Sequence, residues 1–419
     1  MFNSKLGKII KKVYDKINSN EFLEVSKMNK SDFTRNRKMN FPNLMIFIMS
    51  STKKSLQSAL FAFNSRFKFE NGTYTKQAFS KARKKINPSA FLSIFKESVE
   101  MFYKDGKFKR FKGYRVTAID GTKYNLPNSV EMKDVYGFQN STNDQPQALG
   151  SCLYDVLNGI IIDALIQPFN ASERALAKLH LEELSRIKTS KELVLMDRGY
   201  PSSELFKYID ECGFKYVVRC SKQVVSNMKT KGNDCVINHK FANSLTLKIR
   251  VIRIALKNGD EEILLTNLFN KSFKEQDFAE LYHMRWGIEE KYDDLKNKLE
   301  IENFSGTSNL AVLQEFYATM FLNNITSIMA IDCEEEIAEH CKNKQLKYQR
   351  KANISLTISI MKFSLIEMFL CKSQKKRDKI LDNIYHQLLS SVTPIRPNRS
   401  YNRSVKHKAQ KYPQNRRSL

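Results

Sequence analysis

The sequence lacks an apolar run long enough to cross a bilayer, which takes roughly 20 residues. Its longest apolar run, at 44–49, is broken by polar residues within two turns. The start, MFNSKLGKIIKKVYDKI, is typical of a basic amphipathic helix and has no continuous apolar region of the kind that a secretory signal needs. These absences exclude a membrane-spanning helix and predict a cytoplasmic protein.

A CxxC pair is also missing, although the chain has seven cysteines. Scattered cysteines in an odd number argue against a zinc ribbon or a redox centre and predict reduced thiols. Cys333, His340 and Cys341 come nearest to a soft-metal cluster, but their helical spacing and the lack of a fourth ligand nearby favour a buried cysteine. The six histidines show no ligand spacing, and no internal repeat or low-complexity tract stands out.

Acidic residues are scarce: 44 Asp and Glu stand against 70 Lys and Arg, which gives a formal net charge of +26. The basic residues run from Lys5 to Arg417 rather than gathering in one tail. Such a charge indicates a polyanionic partner. A lysine-rich coding bias is the alternative, but it does not account for the basic clusters at both ends. An apolar content of 42% with 28 Phe is that of a globular protein, and 419 residues allow two or three domains.

Residues 1–107 have the periodicity of helices. Apolar residues recur there every three or four positions, with Lys and Arg between them. The segments with this pattern are KLGKIIKKVYDKI, FPNLMIFIMSS, LQSALFAFNSRF and KQAFSKARKKI. Pro42 and Pro88 fall where helices would begin, and Asn71-Gly72 is a turn signal. We interpret this region as a helical DNA-binding region, with a merely solvated basic face as the alternative.

Residues 108–308 change character and predict a mixed α/β domain. Three consecutive strands are indicated by YRVTAID, ALGSCLYDVL and GIIIDALIQP, which are rich in β-branched and aliphatic residues. A helix at about 171–188, the strand ELVLMD, a helix at about 202–212 and the strand FKYVVRC follow. Three strands followed by alternating helix and strand imply a mixed sheet with helices on both faces. The segment 221–266 loses the helical pattern and predicts a mostly β insertion.

The remaining sequence divides into two regions. Helical periodicity returns near 309–331, 354–370 and 377–389, so 309–390 is predicted to be a helical C-terminal region. After Ser391 the chain carries eight basic residues and no acidic one. We therefore expect 391–419 to be a basic tail that is disordered or becomes ordered on DNA.

The most informative segment is YHMRWGIEEKYDDLK, in which Tyr282, Arg285, Glu289 and Lys296 are separated by three, four and seven residues. At about 100° of rotation per residue, these side chains fall within roughly 60° of one another on one face of an α-helix. A carboxylate in a row with two cations and a phenol suits a helix that holds a metal ion beside a phosphodiester. An ordinary charged helix with i,i+4 ion pairs is the alternative, and this segment alone does not decide.

Two further acids lie at predicted strand ends. Asp120 ends VTAID, Asp197 follows LVLM, and each has a glycine within two residues. Ligands collect at the carboxyl ends of strands in α/β sheets, and a glycine there lets the backbone turn away. Each Asp alone is more often a turn or capping residue. Together with Glu289, however, three converging carboxylates would require divalent cations, and two such ions about 4 Å apart promote phosphoryl transfer. We expect the three carboxyl groups to lie within about 8 Å of one another.

These residues carry a family resemblance. VTAIDGTKYNLP, LVLMDRGYPSSELF and the pattern Y-(2)-R-(3)-E-(6)-K, preceded by TNL, resemble the DDE transposases of the insertion-sequence-four family. KQAFSKARKKINPSAF upstream and the basic KYPQNRRS end also fit, so the resemblance covers nearly the whole chain. It implies a ribonuclease H-like catalytic domain with a mostly β insertion at roughly 221–266.

The resemblance also implies the chemistry and the site residues. Asp120, Asp197 and Glu289 would bind two Mg²⁺ ions, for which Mn²⁺ can substitute. The residues that would contact the DNA end near the scissile phosphate are Tyr282, Arg285, Lys296 and Arg198. The implied activity is cut-and-paste transposition, with cleavage at the terminal inverted repeats of an element and strand transfer into target DNA. The implied partners are double-stranded DNA and a second copy of the chain in a paired-end complex, at the nucleoid.

Two other functions remain open at this point. A metal-dependent DNA nuclease on the same sheet would cut without joining, and a non-catalytic DNA-binding protein would use only the basic helices and the tail. The insertion also departs from the family, because related enzymes stack a flipped base on a Trp there. The only Trp in this chain is Trp286, inside the signature helix. We interpret its side chain as a core contact, with a DNA-facing position as the alternative.

Overall fold

The computed structural model describes residues 4–35, 39–50, 53, 55–67, 74–140, 143–187, 191–226, 228, 230, 232–256, 259–342, 344 and 346–396. These residues form two compact units. The first unit contains the described parts of Met1–Asp105, Tyr124–Ala148 and Asp294–Leu419, and the second contains those of Gly106–Lys123 and Leu149–Asp293. Most of the basic tail that we predicted at 391–419 lies outside the described residues.

Helices predominate at both ends of the chain, and most strands lie between them. In chain order, the α-helices are α1 (Lys5–Ile17), α2 (Asn20–Ser26), α3 (Phe41–Met49), α4 (Leu56–Phe67), α5 (Lys76–Arg83), α6 (Ser89–Tyr103), α7 (Val130–Tyr136), α8 (Glu173–Arg186), α9 (Ser203–Glu211), α10 (Lys222–Ser226), α11 (Glu275–Met284), α12 (Trp286–Asp293), α13 (Asn309–Asp332), α14 (Glu334–Lys342), α15 (Ile354–Leu370) and α16 (Gln374–Ser390), with a π-helical turn at Asp294–Lys298. The strands are β1 (Tyr114–Asn125), β2 (Phe138–Asn140), β3 (Asn143–Asp155), β4 (Ile160–Pro168), β5 (Lys191–Met196), β6 (Lys215–Cys220), β7 (Asp234–Lys240), β8 (Thr246–Ala255), β9 (Glu261–Thr266), β10 (Arg350–Ala352) and β11 (Val392–Pro394).

The first unit is built around α13. This helix packs against α1, α3, α6 and α15, and it buries residues on every face because it has neighbours all round. The helix α1 is instead amphipathic, since its buried residues recur every three or four positions. The segments that we read as helical in 1–107 are present as α1, α3, α4 and α5. They contribute to a core that also needs residues beyond 308.

The sheet of the second unit is mixed. Its strand order is β3-β1-β5-β6-β9-β8-β7, and β4 also pairs with β3. The strands β1, β5 and β6 are parallel, whereas β9, β8 and β7 are antiparallel to their neighbours. The helices α8 and α9 contact each other and the strands β4 and β6, and α11 contacts β6 and β8. The prediction of an α/β fold with a mixed sheet, helices on both sides and helical terminal regions is confirmed, whereas its assignment as ribonuclease H-like stays a prediction.

The β-rich segment at 221–266 is continuous with this sheet. The strand β9 pairs with β6, and β8 pairs with β9, so the segment extends the sheet rather than forming a separate one. Its outermost strand, β7, alternates between half-buried and exposed residues. That alternation is typical of a strand with one face in water.

Some local expectations differ from the structure. The short helices α2, α7, α10 and α14 were not anticipated, and α10 lies in the segment that was predicted to lack helical structure. The first part of the predicted tail forms β11, which pairs with β10 inside the first unit. All seven cysteines are free thiols, as expected. In the described residues, no helix is both long enough and apolar enough to span a membrane.

A buried ion pair ties the two central strands together. Arg115 on β1 and Glu192 on β5 are direct cross-strand partners, and both side chains are fully buried. Two parallel hydrogen bonds join them, from Arg115 Nε to Oε2 at 2.9 Å and from Nη2 to Oε1 at 2.8 Å. This bidentate geometry offsets part of the desolvation of both charges.

We expect Arg115→Met to lower the free energy of unfolding by about 3–5 kcal/mol, because Glu192 would keep a buried charge without its partner. The double variant Arg115→Met/Glu192→Leu should recover most of that loss, since it removes both charges. Urea unfolding followed by circular dichroism measures the effect. Arg186→Met, which breaks an exposed pair with Glu183, is the control and should cost less than about 1 kcal/mol. A double variant no more stable than the single one would contradict this account.

Candidate active site

The pairing of β1 with β5 sets the positions of the two aspartates. The parallel register runs from Tyr114 opposite Lys191 to Ala118 opposite Leu195. Two residues further along, the same register brings Asp120 beside Asp197. Neighbouring strands lie about 4.8 Å apart, so two carboxylates at equivalent positions are close enough to repel each other electrostatically.

The strand at Asp120 does not end as we predicted. The strand β1 continues to Asn125, so Gly121 lies inside it and does not turn the backbone away. Asp197 does follow the end of β5, as expected. Each aspartate accepts a hydrogen bond from a nearby glycine amide, Gly121 N to Asp120 Oδ1 at 2.9 Å and Gly199 N to Asp197 Oδ1 at 2.8 Å. These bonds hold the two carboxylates in place.

Glu289 joins the aspartates through an arginine. The Arg285 guanidinium lies 2.7 Å from Glu289 Oε1 and 3.6 Å from Asp120 Oδ2. Arg285 is buried, whereas the Glu289 side chain is 35% exposed and Asp120 18% exposed. The buried Arg285 guanidinium therefore contacts two of the three predicted acids, Asp120 and Glu289, and both remain partly exposed to solvent.

The signature segment is not one regular helix. The helix α11 ends at Met284, α12 begins at Trp286, and the π-helical turn follows. At the break, Arg285 N bonds to Tyr282 O and Ile288 N bonds to Arg285 O, a tighter i to i+3 spacing than that of an α-helix. The predicted single row of four side chains is therefore interrupted. Lys296 lies in the π-helical turn in the first unit, with its ammonium 5.3 Å from the ring centroid of Tyr124.

Burial and charge crowding perturb Asp120. Desolvation is the main cause that raises the pKa of Asp120 to about 7, and the negative charges of Asp197 and Glu289 raise it further. The hydrogen bond from Gly121 and the charge of Arg285 act in the opposite direction. The Coulomb effect of both other acids on Asp120 indicates that the three predicted carboxylates share one region of the second unit.

The remaining predicted residues have different surroundings. Tyr282 is 3% exposed, and burial raises its pKa to about 12; its ring centroid lies 5.5 Å from the Arg285 guanidinium. Arg198 is exposed beside Asp197. The interpretation of Trp286 as a core residue is wrong: its side chain is 40% exposed, and the Arg285 guanidinium lies 5.5 Å from the ring.

Buried polar groups that we did not anticipate form hydrogen bonds with the main chain of Asp120. Tyr292 Oη donates to the main-chain oxygen of Asp120 at 2.6 Å, and Ser151 Oγ does so at 3.3 Å. His180 lies between Ser151 Oγ at 2.9 Å and Asp163 Oδ2 at 2.8 Å. The histidine had no ligand spacing, and no local pattern signals this chain of hydrogen bonds, because its members come from separate elements.

The described residues contain no preformed group of three His, Cys, Asp or Glu side chains arranged to hold a metal ion. The donors that are present nevertheless suit a hard divalent cation, since they are carboxylate oxygens. The charges of Asp197 and Glu289 add to the effect of burial on the pKa of Asp120, and such repulsion is the kind that a cation relieves. The contact of Arg285 with Asp120 and Glu289 offsets part of the same repulsion.

The raised pKa of Asp120 makes a prediction about stability. Between pH 3.8 and about 7 the folded chain holds a proton on Asp120 that the unfolded chain has lost, so stability falls as pH rises through this window. We expect Asp120→Asn to raise the free energy of unfolding at pH 8 by about 2 kcal/mol without divalent cations, and to change it little at pH 4. Urea unfolding in EDTA at both pH values is the measurement. Asp134→Asn, at an exposed site on α7, is the control; equal effects of Asp120→Asn at both pH values would refute the assignment.

Comparison with known proteins places the chain in a family. Residues 111–325, just over half of the chain, match the family of the transposase DDE domain. The putative transposase InsZ of Escherichia coli (strain K12) is 22% identical over 169 aligned residues, in an alignment that covers 38% of this chain and 54% of that protein. The chain thus spans about half the length of this curated relative.

Among solved structures, a cryo-EM structure of the piggyBac transposase synaptic complex with hairpin DNA is similar, with a TM-score of 0.48 and 11% sequence identity. That similarity covers 94% of this chain and 87% of the other. The narrower assignment to the insertion-sequence-four family stays a prediction. Since the family match extends over more than half of the sequence, the chain belongs to the DDE transposase family.

Proposed function

We propose that this chain cuts DNA at the ends of an insertion sequence of the insertion-sequence-four type and joins those ends to target DNA, in cut-and-paste transposition. The proposal rests on the convergence of Asp120, Asp197 and Glu289 in the second unit. Register places the two aspartates side by side, and Arg285 contacts both Asp120 and Glu289. A helix cap or a turn requires only one acidic side chain, so these roles do not explain why three acids from two strands and a helix lie together.

The three carboxylates would hold two Mg²⁺ ions, for which Mn²⁺ can substitute. Bound divalent ions activate an attacking oxygen and stabilise a leaving oxygen in phosphoryl transfer. In the chain itself, Asp120 must lose its proton to bind a cation, because its pKa is raised to about 7. A bound divalent cation would then compete with Arg285 for the carboxylates of Glu289 and Asp120, and the guanidinium would become available for a phosphate oxygen.

Double-stranded DNA is the proposed partner. The net charge of +26 favours a polyanion, and Arg198 and Trp286 lie exposed close in sequence to Asp197 and Glu289. We assign Tyr282 a supporting role under Arg285, because it is buried. Arg285, Lys296 and Arg198 remain the proposed contacts to the DNA end. A second copy of the chain in a paired-end complex completes the proposal, and the protein would act at the nucleoid.

The principal test is Glu289→Gln. A plasmid carrying a marker between the inverted repeats that flank the gene serves as substrate. Glu289→Gln should bind the end DNA within about twofold of wild type but reduce Mg²⁺-dependent cleavage by at least about 10³-fold, because it removes one ligand charge. Glu290→Gln, at the exposed neighbouring position, is the matched control and should cleave normally.

The outcome separates the competing functions. Unchanged cleavage by Glu289→Gln would remove the three acids from the mechanism. Pre-cut ends that the wild type never joins to target DNA would indicate a nuclease without strand transfer. Binding without any cleavage under all metal conditions would indicate a DNA-binding protein only.

Recognition of the DNA ends is proposed for the helical region at 1–107, which contains the helix α5. Buried Arg83 anchors this helix through Gln314 at 3.0 Å and Glu315 at 3.1 Å. The same helix exposes Lys76 and Lys81. Exposed cations on an anchored helix can contact a phosphate backbone.

We expect Lys76→Ala/Lys81→Ala to weaken binding of the end DNA and to reduce the slope of log affinity against log salt by about 2, because two phosphate contacts would be lost. Fluorescence anisotropy at several salt concentrations measures both quantities. Lys375→Ala/Lys379→Ala removes the same charge from the exposed face of α16 and serves as the control. Equal losses in the two double variants would point to a general charge effect.

A further inference from the structure

A fourth carboxylate lies beside the three that the sequence predicted. Glu173 is the first residue of α8, directly after the capping residue Ser172. A methyl group placed on Gly121 would lie 2.6 Å from Glu173 Oε1, closer than a real contact allows. The glycine after Asp120 therefore leaves the space that Glu173 occupies.

Glu173 also lies close to the second aspartate. A methyl group on Gly199 would lie 3.1 Å from Asp197 Oδ1 and 4.0 Å from Glu173 Oε2, so the same glycine adjoins both carboxylates. Burial and the charge of Asp197 raise the pKa of Glu173, whereas Lys123 lowers it. A glutamate that only stabilised the N-terminus of α8 would be favoured in its charged form and would need no acidic neighbour.

A buried hydroxyl points into the same cluster. Tyr200 is fully buried, and its hydroxyl has no hydrogen-bond partner within the described part of the chain. Burial is the main cause that raises the pKa of this hydroxyl, and the charges of Asp120, Glu173 and Asp197 raise it further, so all three carboxylates lie near it. A buried hydroxyl without a partner next to mutually repelling carboxylates marks a place where a bound ion or its water would supply the missing contacts.

We propose that Glu173 is a further ligand of the divalent cations, acting with Asp120 and Asp197 at the end of β5. This inference rests on the proposed function, because it deepens the same metal site. Four carboxylates, of which Arg285 contacts two, provide the oxygen ligands and the negative charge for two Mg²⁺ or Mn²⁺ ions. Glu173 contributes its oxygens from α8, whereas Glu289 contributes its own from α12.

Mn²⁺ binding to the full chain tests the proposal directly. Free Mn²⁺ is measured by electron paramagnetic resonance during titration. We expect Glu173→Gln to lower the affinity for Mn²⁺ at least about tenfold, or to reduce the number of bound ions from two to one. The matched control is Glu204→Gln, which removes a carboxylate from the first turn of α9 behind a serine cap of the same kind. It should bind Mn²⁺ like the wild type.

A second variant tests the geometry without removing a charge. Gly121→Ala should push the Glu173 carboxylate out of its place and reduce Mn²⁺ affinity in the same direction, while the far-ultraviolet circular dichroism stays unchanged. The backbone at Gly121 has no positive φ, so alanine fits the local conformation. This variant keeps the inference testable if Glu173→Gln does not fold.

Asp120→Asn distinguishes failure of this inference from failure of the proposed function. If Asp120→Asn loses Mn²⁺ binding while Glu173→Gln and Gly121→Ala bind normally, Glu173 is only a helix-terminal residue and the three-acid site stands. If Asp120→Asn also binds like the wild type, the proposed metal site itself is refuted. Loss of binding in Glu204→Gln as well would overturn the assignment to Glu173, since any acidic first turn would then have the same effect.

Discussion

Repulsion between carboxylates is the constraint on which the second unit depends. The register of β1 and β5 brings Asp120 beside Asp197, and nothing in the backbone can separate them without breaking the sheet. The chain tolerates this crowding because Asp120 holds a proton up to about pH 7, and because Arg285 offsets the charge of Glu289 and, above that pH, the charge of Asp120. The divalent cations that we propose for this site would relieve the same repulsion and replace both devices.

The rest of the sheet keeps the crowded carboxylates in position. The strand β1 is fully buried from Arg115 to Ile119, and the Arg115–Glu192 pair fixes its register against β5. Beneath Asp120, the hydroxyls of Tyr292 and Ser151 bind its main-chain oxygen. These hydrogen bonds are made to the main chain, so they fix the position of the Asp120 backbone and leave the carboxylate oxygens available for other partners. A rigid base under an accessible charged group is what a metal ligand requires.

The sequence predicted most of the fold and three members of the candidate site, for reasons that are local. Alternating or continuous apolar runs predicted β1, β5 and β6, and Asp120 and Asp197 were identified because they stand at the ends of the first two runs. The continuation of β1 beyond Asp120 was missed because Gly121 looks like a turn residue, whereas its actual importance is the room it leaves for Glu173. The break at Arg285 was also missed, since periodicity assumes a regular helix. His180 and Tyr200 depend on contacts between distant segments, which no spacing encodes.

The first unit is assembled from segments that lie far apart in the chain. The helices α3 and α6 bury their apolar faces on α13, which begins about 200 residues after α6 ends. During synthesis the apolar faces of these N-terminal helices therefore remain exposed to solvent until the ribosome has translated α13, which ends at residue 332. A chain that ended between α6 and α13 would keep these helices without the surface that covers them, and it would be prone to aggregation although its N-terminal sequence is intact.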